Sequence, residues 1–215
     1  MQASTVIILL VFTSLLASLT CHAQWDKTPA ITVMAPSRDP RIPLTVEAVE
    51  FWNRQFAELG SSFRLGPVTH ITDTVPIWHL EQLSAAVLKR EPRPELPENV
   101  KQMPDDSLLA MSDGEFVSFA ARFPLSEQIK VLIGIRSHHS YPLSLPNVAR
   151  NVIAHELGHA IGLRHNDDRT TLMCGRPAPC RPDAFQSSVE RFFPLTDDEK
   201  VVLQNLYPAT WKPSR

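Results

Sequence analysis

Three histidines and one glutamate within eleven residues carry the chemistry open to this sequence: residues 155–165 read HELGHAIGLRH. His155 and His159 are four positions apart, so on a helix their imidazoles share one face about one turn apart, the spacing that lets two nitrogens hold one metal ion. Glu156 follows the first histidine. The helical step of ~100° turns its carboxylate toward a water beside the ion rather than into the coordination shell. Gly162 sits three residues after His159, where a residue without Cβ can adopt a left-handed conformation and end the helix abruptly. The reversed chain can then bring His165 to the same ion as a third nitrogen ligand. Three neutral imidazoles leave one position open, which is the arrangement of a catalytic rather than a structural zinc. Zinc lowers the pKa of a water beside it from ~15.7 toward ~7, and Glu156 as general base can take the proton and pass it to a leaving amine. The residues therefore predict zinc-assisted amide hydrolysis. Two histidines at this spacing alone are more often core or surface residues; Gly162 and His165 shift the balance to a metal site.

The segment HELGHAIGLRH resembles the H-E-x-x-H-x-x-G-x-x-H signature of the metzincin zinc endopeptidases. Met173, in the stretch TTLMCG, lies eight residues after His165. Matrixin-like metzincins place the methionine of their Met-turn at that distance, beneath the zinc. Residues 193–207 look like the closing helix of matrixins, so the resemblance spans residues 147–207. It implies an α+β, zincin-like (metzincin) fold, with a twisted mixed β-sheet packed on helices, a zinc helix and a Met-turn. It also implies one catalytic Zn2+ on His155, His159 and His165, Glu156 as general base, and Gly162 and Met173 as structural support. The substrate it implies is a peptide or protein in extended conformation, paired with an edge strand of the sheet; Lys130–Ile135 and Phe116–Phe123 are the two candidate edges. The chain departs from the matrixin pattern at Asn166, where matrixins commonly carry Ser. Two rival functions are a non-catalytic peptide- or protein-binding module and a zinc hydrolase of cell-wall peptides. The intact Glu156 and full histidine triad weigh against the first, and the sequence does not separate the second.

The rest of the chain sets the context. With 21 basic and 23 acidic residues in 215, there is no large single-signed field to attract nucleic acid or an anionic membrane. The length suits a signal segment and one catalytic domain, and we expect a monomer. Residues 1–23 contain no Asp, Glu, Lys or Arg, and Val6–Leu16 form an apolar run of signal-peptide length. The sequence thus predicts a signal peptide over 1–23, a catalytic domain over 24–215, a secreted or periplasmic product and no membrane span after signal removal. Lipid anchoring at Cys21 is a minor alternative. Cleavage before Gln24 leaves Cys174 and Cys180, an even pair that could form a disulfide in an oxidising compartment or remain as two free thiols.

The elements that must position the site follow from periodicity. Ala30–Ala35 reads as a strand closed by Pro36. Thr45 offers a cap for a helix with Val49, Trp52, Phe56 and Leu59 on one stripe and Gly60 as its stop, and Trp52 reads as core. Phe63–Val68 is a strand candidate and Ile77–Arg90 a second amphipathic helix. Residues 91–104 carry four prolines and read as an irregular loop. Ser107–Met111 and Phe116–Phe123 flank a turn at Asp113-Gly114, and Lys130–Ile135 is the clearest strand. Asn147 is the expected cap of the zinc helix, and Thr196–Glu199 fits a capping box. His70 and His79 have no partner at ligand spacing and read as structural. His138 and His139 could hold a second metal or line the cleft, but adjacent histidines in a coil diverge, and no Asp-rich ligand set like the family's structural zinc site accompanies them.

Overall fold

The computed structural model describes residues 25–125, 128–175 and 190–214. The expected signal segment, with Cys21, and Cys180 lie outside the described residues. Strands β1 (Ile31–Met34), β2 (Val68–Ile71), β3 (Ser107–Met111), β4 (Phe119–Pro124) and β5 (Ile129–Ile135) form one mixed sheet in the order β2-β1-β3-β5-β4. The first four in that order run parallel, and β4 pairs antiparallel with β5 at the edge. Between and after them come helices α1 (Arg41–Glu58), α2 (Ile77–Lys89), α3 (Glu98–Lys101), α4 (Pro146–Ala160) and α5 (Asp197–Leu206).

The period-two alternation of the strands sorts their side chains to two cores. Ile31, Val33, Leu109, Met111, Val131, Ile133 and Ile135 point to the face covered by α1, α4 and α5. Met34, Leu108, Ala110 and Leu132 point to the opposite face, where they meet Leu80 and Leu83 of α2 and Val100 of α3. Central strands buried on both faces explain the near-continuous apolar runs of β1, β3 and β5. This sheet with its helices is the α+β, zincin-like architecture the motif implied. Among the described residues, no helix is long and apolar enough to cross a membrane.

Several local expectations change, each for a physical reason. Helix α1 begins at Arg41, not after Thr45. The Asp39 carboxylate accepts the Arg41 backbone N–H at 2.9 Å, so it caps the helix from two residues upstream. Pro43 lies in the first turn, where no intrahelical N–H is required, so it does not delay the start. Thr45 is buried inside the helix and donates its hydroxyl to the Arg41 carbonyl. Residues 63–67 are not a strand; β2 begins only at Val68. Strands β3 and β4 do not form a hairpin around Asp113-Gly114, because β5 inserts between them. Helix α4 starts with Pro146 in its first turn, with Leu145 at the cap position and no side-chain cap hydrogen bond. The Asn147 side chain instead accepts the Arg191 backbone N–H at 3.2 Å. Within 91–104, the single turn of α3 supplies the carbonyl of Val100, and the chain just after it that of Met103, to the buried Lys130 ammonium. The capping box at Thr196 and Glu199 forms as read.

Asp39 and Arg41 form a buried ion pair at 2.6 Å, and Arg41 Nη1 also donates to the carbonyls of Ser112, Ile135 and Arg136. The pair therefore ties α1 to the ends of β3 and β5. Burial alone would push the Asp39 carboxyl up, but the hydrogen bonds and charge of Arg41 outweigh it and hold the group below its ordinary range. A depressed carboxyl contributes stability above its unfolded pKa of ~3.9, and that contribution is lost as pH falls through the lower folded value. Removing Arg41 leaves a buried carboxylate without its cation, at a cost of ~3–5 kcal/mol near neutral pH. Urea unfolding of the metal-free protein should thus show Arg41→Ala far less stable than wild type at pH 7, with the gap narrowing toward pH 3. A gap that stays constant over this range would mean that the pair does not carry the acid sensitivity.

Candidate active site

The site is built on α4 and the turn that ends it. His155, Glu156 and His159 lie on α4, with His155 and Glu156 buried and His159 half-buried. Gly162 takes φ +106° after the last turn. Its N–H donates to the His159 carbonyl and that of Leu163 to the Gly158 carbonyl, the paired bonds of a Schellman motif. The remaining carbonyls of this helix end have side-chain donors: Trp25 Nε1 reaches Ala160 O at 2.9 Å, and the Tyr207 hydroxyl reaches Ile161 O at 3.1 Å. Burial pushes the Tyr207 phenol far up, so it stays a neutral donor. The reversal is fixed from outside the helix as well as within it.

The reversed chain returns an exposed His165 to the helix. His165 Nε2 lies 3.1 Å from His155 Nε2 and 3.0 Å from His159 Nε2. Each helical histidine is oriented by a carbonyl on its other nitrogen: His155 Nδ1 faces Leu172 O at 2.8 Å, and His159 Nδ1 faces Leu163 O at 2.9 Å. A carbonyl only accepts, so both Nδ1 atoms carry the proton, and both Nε2 atoms present lone pairs to the same point. A proton on His165 Nε2 could serve only one of them. A cation is the partner that satisfies all three nitrogens together, and second-sphere carbonyls of this kind are what orient metal-ligating histidines. The donor set therefore fits zinc. Exposure rises from His155 to His165, so the triad is reached from solvent on the His165 side.

The segment after His165 forms the floor. Asn166 N–H donates to Met173 O and Gly175 N–H to Asn166 O, which closes a compact loop. Met173 is fully buried, and a Cβ on Gly158 would stand 2.5 Å from its sulfur, so the helix admits Met173 only because residue 158 has no side chain. Leu172, next to it, supplies the carbonyl that orients His155. Asn166 also donates to Glu199 Oε1 at 2.6 Å and to Thr171 Oγ1 at 2.9 Å, linking the loop to the capping box of α5. The departure at Asn166 thus has a structural use. Trp52 is fully buried and donates to Ala154 O at 3.0 Å, bracing α4 against α1.

Sequence reasoning missed two features. Gly175 lies against the His165 ring, and a Cβ there would overlap its Cβ, Cγ and Nδ1; only the neighbouring Met-turn position hints at this. Asp113 comes within reach of His138 and His139, a proximity set by the sheet order. His70 and His79 lie outside both groups. His70 Nε2 is 2.9 Å from the Ala35 carbonyl, and His79 is buried on α2, where burial depresses its pKa. Cys174 is disulfide-bonded. The close fit at Gly175 makes a sharp expectation: Gly175→Ala should displace His165 and weaken zinc affinity ~10–100-fold while the fold is retained. Competition with a chromophoric chelator measures this, and an unchanged affinity would show that the ring does not depend on that gap.

A search of curated proteins finds no match. Among solved structures, archaemetzincin from Methanopyrus kandleri aligns at TM-score 0.48 and 16% identity, covering 84% of this chain and 96% of that one. A zinc-dependent peptidase from Methanocorpusculum labreanum aligns at TM-score 0.37 and 19% identity, covering 81% and 100%. The sequence model of the matrixin family matches residues 98–208, just over half of the chain, and takes in α4, the Met-turn and α5. On that match this chain belongs to the matrixin family and is a zinc metalloprotease.

Proposed function

We propose that the protein is a secreted zinc endopeptidase in which His155, His159 and His165 bind the metal and Glu156 is the general base. The observation that carries this reading is the convergence of three imidazole nitrogens on one point, two of them with their other nitrogen committed to a carbonyl. When bound, zinc supplies a Lewis acid that polarises the scissile carbonyl and acidifies nearby water. Glu156 takes the proton of the attacking water and delivers it to the departing amine, so that one carboxylate serves both halves of the reaction. Met173 and Gly162 hold the ligands without touching substrate.

The sheet order supports β4 as the strand that an extended peptide joins. β5, the other candidate, has partners on both sides, β3 and β4, so its backbone groups are already used. β4 ends the sheet, and a peptide there would be held by main-chain hydrogen bonds with side chains alternating between cleft and solvent. One molecule of the chain suffices for this arrangement. The bonded state of Cys174 supports an oxidising compartment and hence export, with Cys180 as the partner we assign.

The deciding experiment is digestion of a mixed peptide library, read by mass spectrometry, with wild type, Glu156→Ala and a chelated sample side by side. Internal cuts by the metal-loaded wild type alone are expected. Glu156→Ala should retain zinc and lose turnover by at least ~100-fold, the scale of a lost proton-transfer group. Turnover undiminished in that variant would remove Glu156 from the role of base, and cleavage of wall-derived peptides alone would redirect the substrate assignment.

A further inference from the structure

We infer that Asp113, His138 and His139 form a second metal site, separate from the histidine triad, that takes a divalent transition-metal ion of the zinc type. One ligand atom from each of these three residues lies within 4.8 Å of the other two. His139 Nε2 is 3.8 Å from Asp113 Oδ1, and the two imidazole rings have centroids 3.9 Å apart. Ligand atoms around a tetrahedral ion with bonds of ~2.0–2.1 Å stand roughly 3.4 Å apart, so closing the set requires movements of about 1 Å. Asp113 and His139 are exposed and free to make them.

The cluster sits on a rigid support. Asp113 follows the end of β3 and the two histidines follow the end of β5, the neighbouring parallel strands that Arg41 clamps together. Ser137 N–H donates to Gly114 O at 3.3 Å, joining the two loops beside the ligands. His139 N–H bonds the Ser137 hydroxyl, and Gly114 N–H bonds the Ser112 hydroxyl. On the far side, Glu115 pairs with Arg136 at 3.5 Å and accepts from Ser140. The ligands are thus brought together by interactions that do not need the ion, as a preorganised site requires.

Two further observations point to a ligand. His138 Nδ1 is buried and has no hydrogen-bond partner among the described residues, and such an atom normally has one. The cluster also opens into a cavity of about 510 Å3 whose wall includes Pro36, Thr74, Pro76 and Ile77, with room for waters to complete the coordination. Of the charged groups around it, Arg41 is neutralised by Asp39, and Arg38 is exposed. Two imidazoles with one carboxylate suit zinc and its neighbours better than calcium or magnesium, which prefer all-oxygen sets. The loop that carries the histidines runs directly into α4, so an ion here would fix the entry to the catalytic helix. This set differs from the family's structural zinc site, whose Asp-rich ligands the chain lacks.

The test is metal stoichiometry on the full chain, stripped, reloaded with zinc and dialysed against micromolar zinc before elemental analysis. Wild type is expected to hold two equivalents. His138→Gln/His139→Gln should hold one, and His155→Ala/His159→Ala should hold one, so the two sites fail separately. Asp113→Asn, an exposed and conservative change, should weaken the second equivalent at least tenfold in a zinc titration and serves if the double variant does not fold. Wild type retaining a single equivalent overturns the proposal. So does a second equivalent that survives both the histidine and the aspartate substitutions.

Discussion

Everything in the site depends on how the zinc helix ends. A helix can place two histidines one turn apart, but no continuing helix places a third beside them from six residues further on. The chain must reverse within one turn, and that reversal strands the last carbonyls of the helix, groups that cost free energy if buried unpaired. Here each has a donor. Leu163 and Gly162 N–H groups serve two of them, and Trp25 and Tyr207 serve two more from opposite ends of the sequence. Trp211 donates in turn to the Trp25 carbonyl at 3.1 Å, and Tyr207 stacks on Phe63 with ring centroids 4.0 Å apart. A tight aromatic cluster that looks like ordinary core is therefore the buttress of the turn that delivers His165.

The same economy appears in the floor of the site. The segment 166–175 provides the carbonyl that sets the tautomer of His155, the sulfur that packs against Gly158, and the glycine that clears room for the His165 ring. It is anchored at two points: Leu172 N–H donates to Pro194 O, and Asn166 reaches Glu199 in the capping box of α5. Asn151 on α4 holds the following stretch by bonding the Arg191 carbonyl and the Phe193 N–H. The closing helix is thus part of the ligand support, because its first turn supplies the acceptor that fixes the residue after His165.

The chemistry was legible in the sequence because it is local: H-E-x-x-H needs only helical periodicity, and Gly162 needs only the conformational freedom of a residue without Cβ. The strands were legible for the same reason, since β3 and β5 are short apolar runs with turn signals around them. What was not legible was pairing. The turn at Asp113-Gly114 has the composition of a hairpin, yet β5 enters between β3 and β4, and no residue near the turn encodes that. Helix starts were also misread, because Thr45 and Asn147 are good caps in isolation. Asp39 accepts from the first N–H of α1 instead, and the prolines in the first turns of both helices have no N–H that needs a cap acceptor. The part of Asp113 in the second cluster was hidden for the same topological reason, since it lies more than twenty residues before the adjacent His138 and His139 and meets them only through the sheet order.

The triad itself is a local conflict that the scaffold sustains. His165 Nε2 lies 3.1 Å from His155 Nε2 and 3.0 Å from His159 Nε2, and lone pairs aimed at one point repel one another when no cation lies between them. Side chains left to themselves would rotate apart. They are prevented by groups that have little freedom: His155 by a carbonyl of the buried Met-turn, His159 by a carbonyl of the Schellman turn, and His165 by the narrow space over Gly175. The free energy that holds this arrangement comes from the two cores and the bonded helix end rather than from the site. Metal binding then releases the repulsion, so affinity and stability are linked: an ion that binds the folded chain and not the unfolded one stabilises it by mass action. A scaffold rigid enough to hold the lone pairs together spends little reorganisation on the metal, which is the condition for a ligand geometry that stays open on its solvent side for substrate.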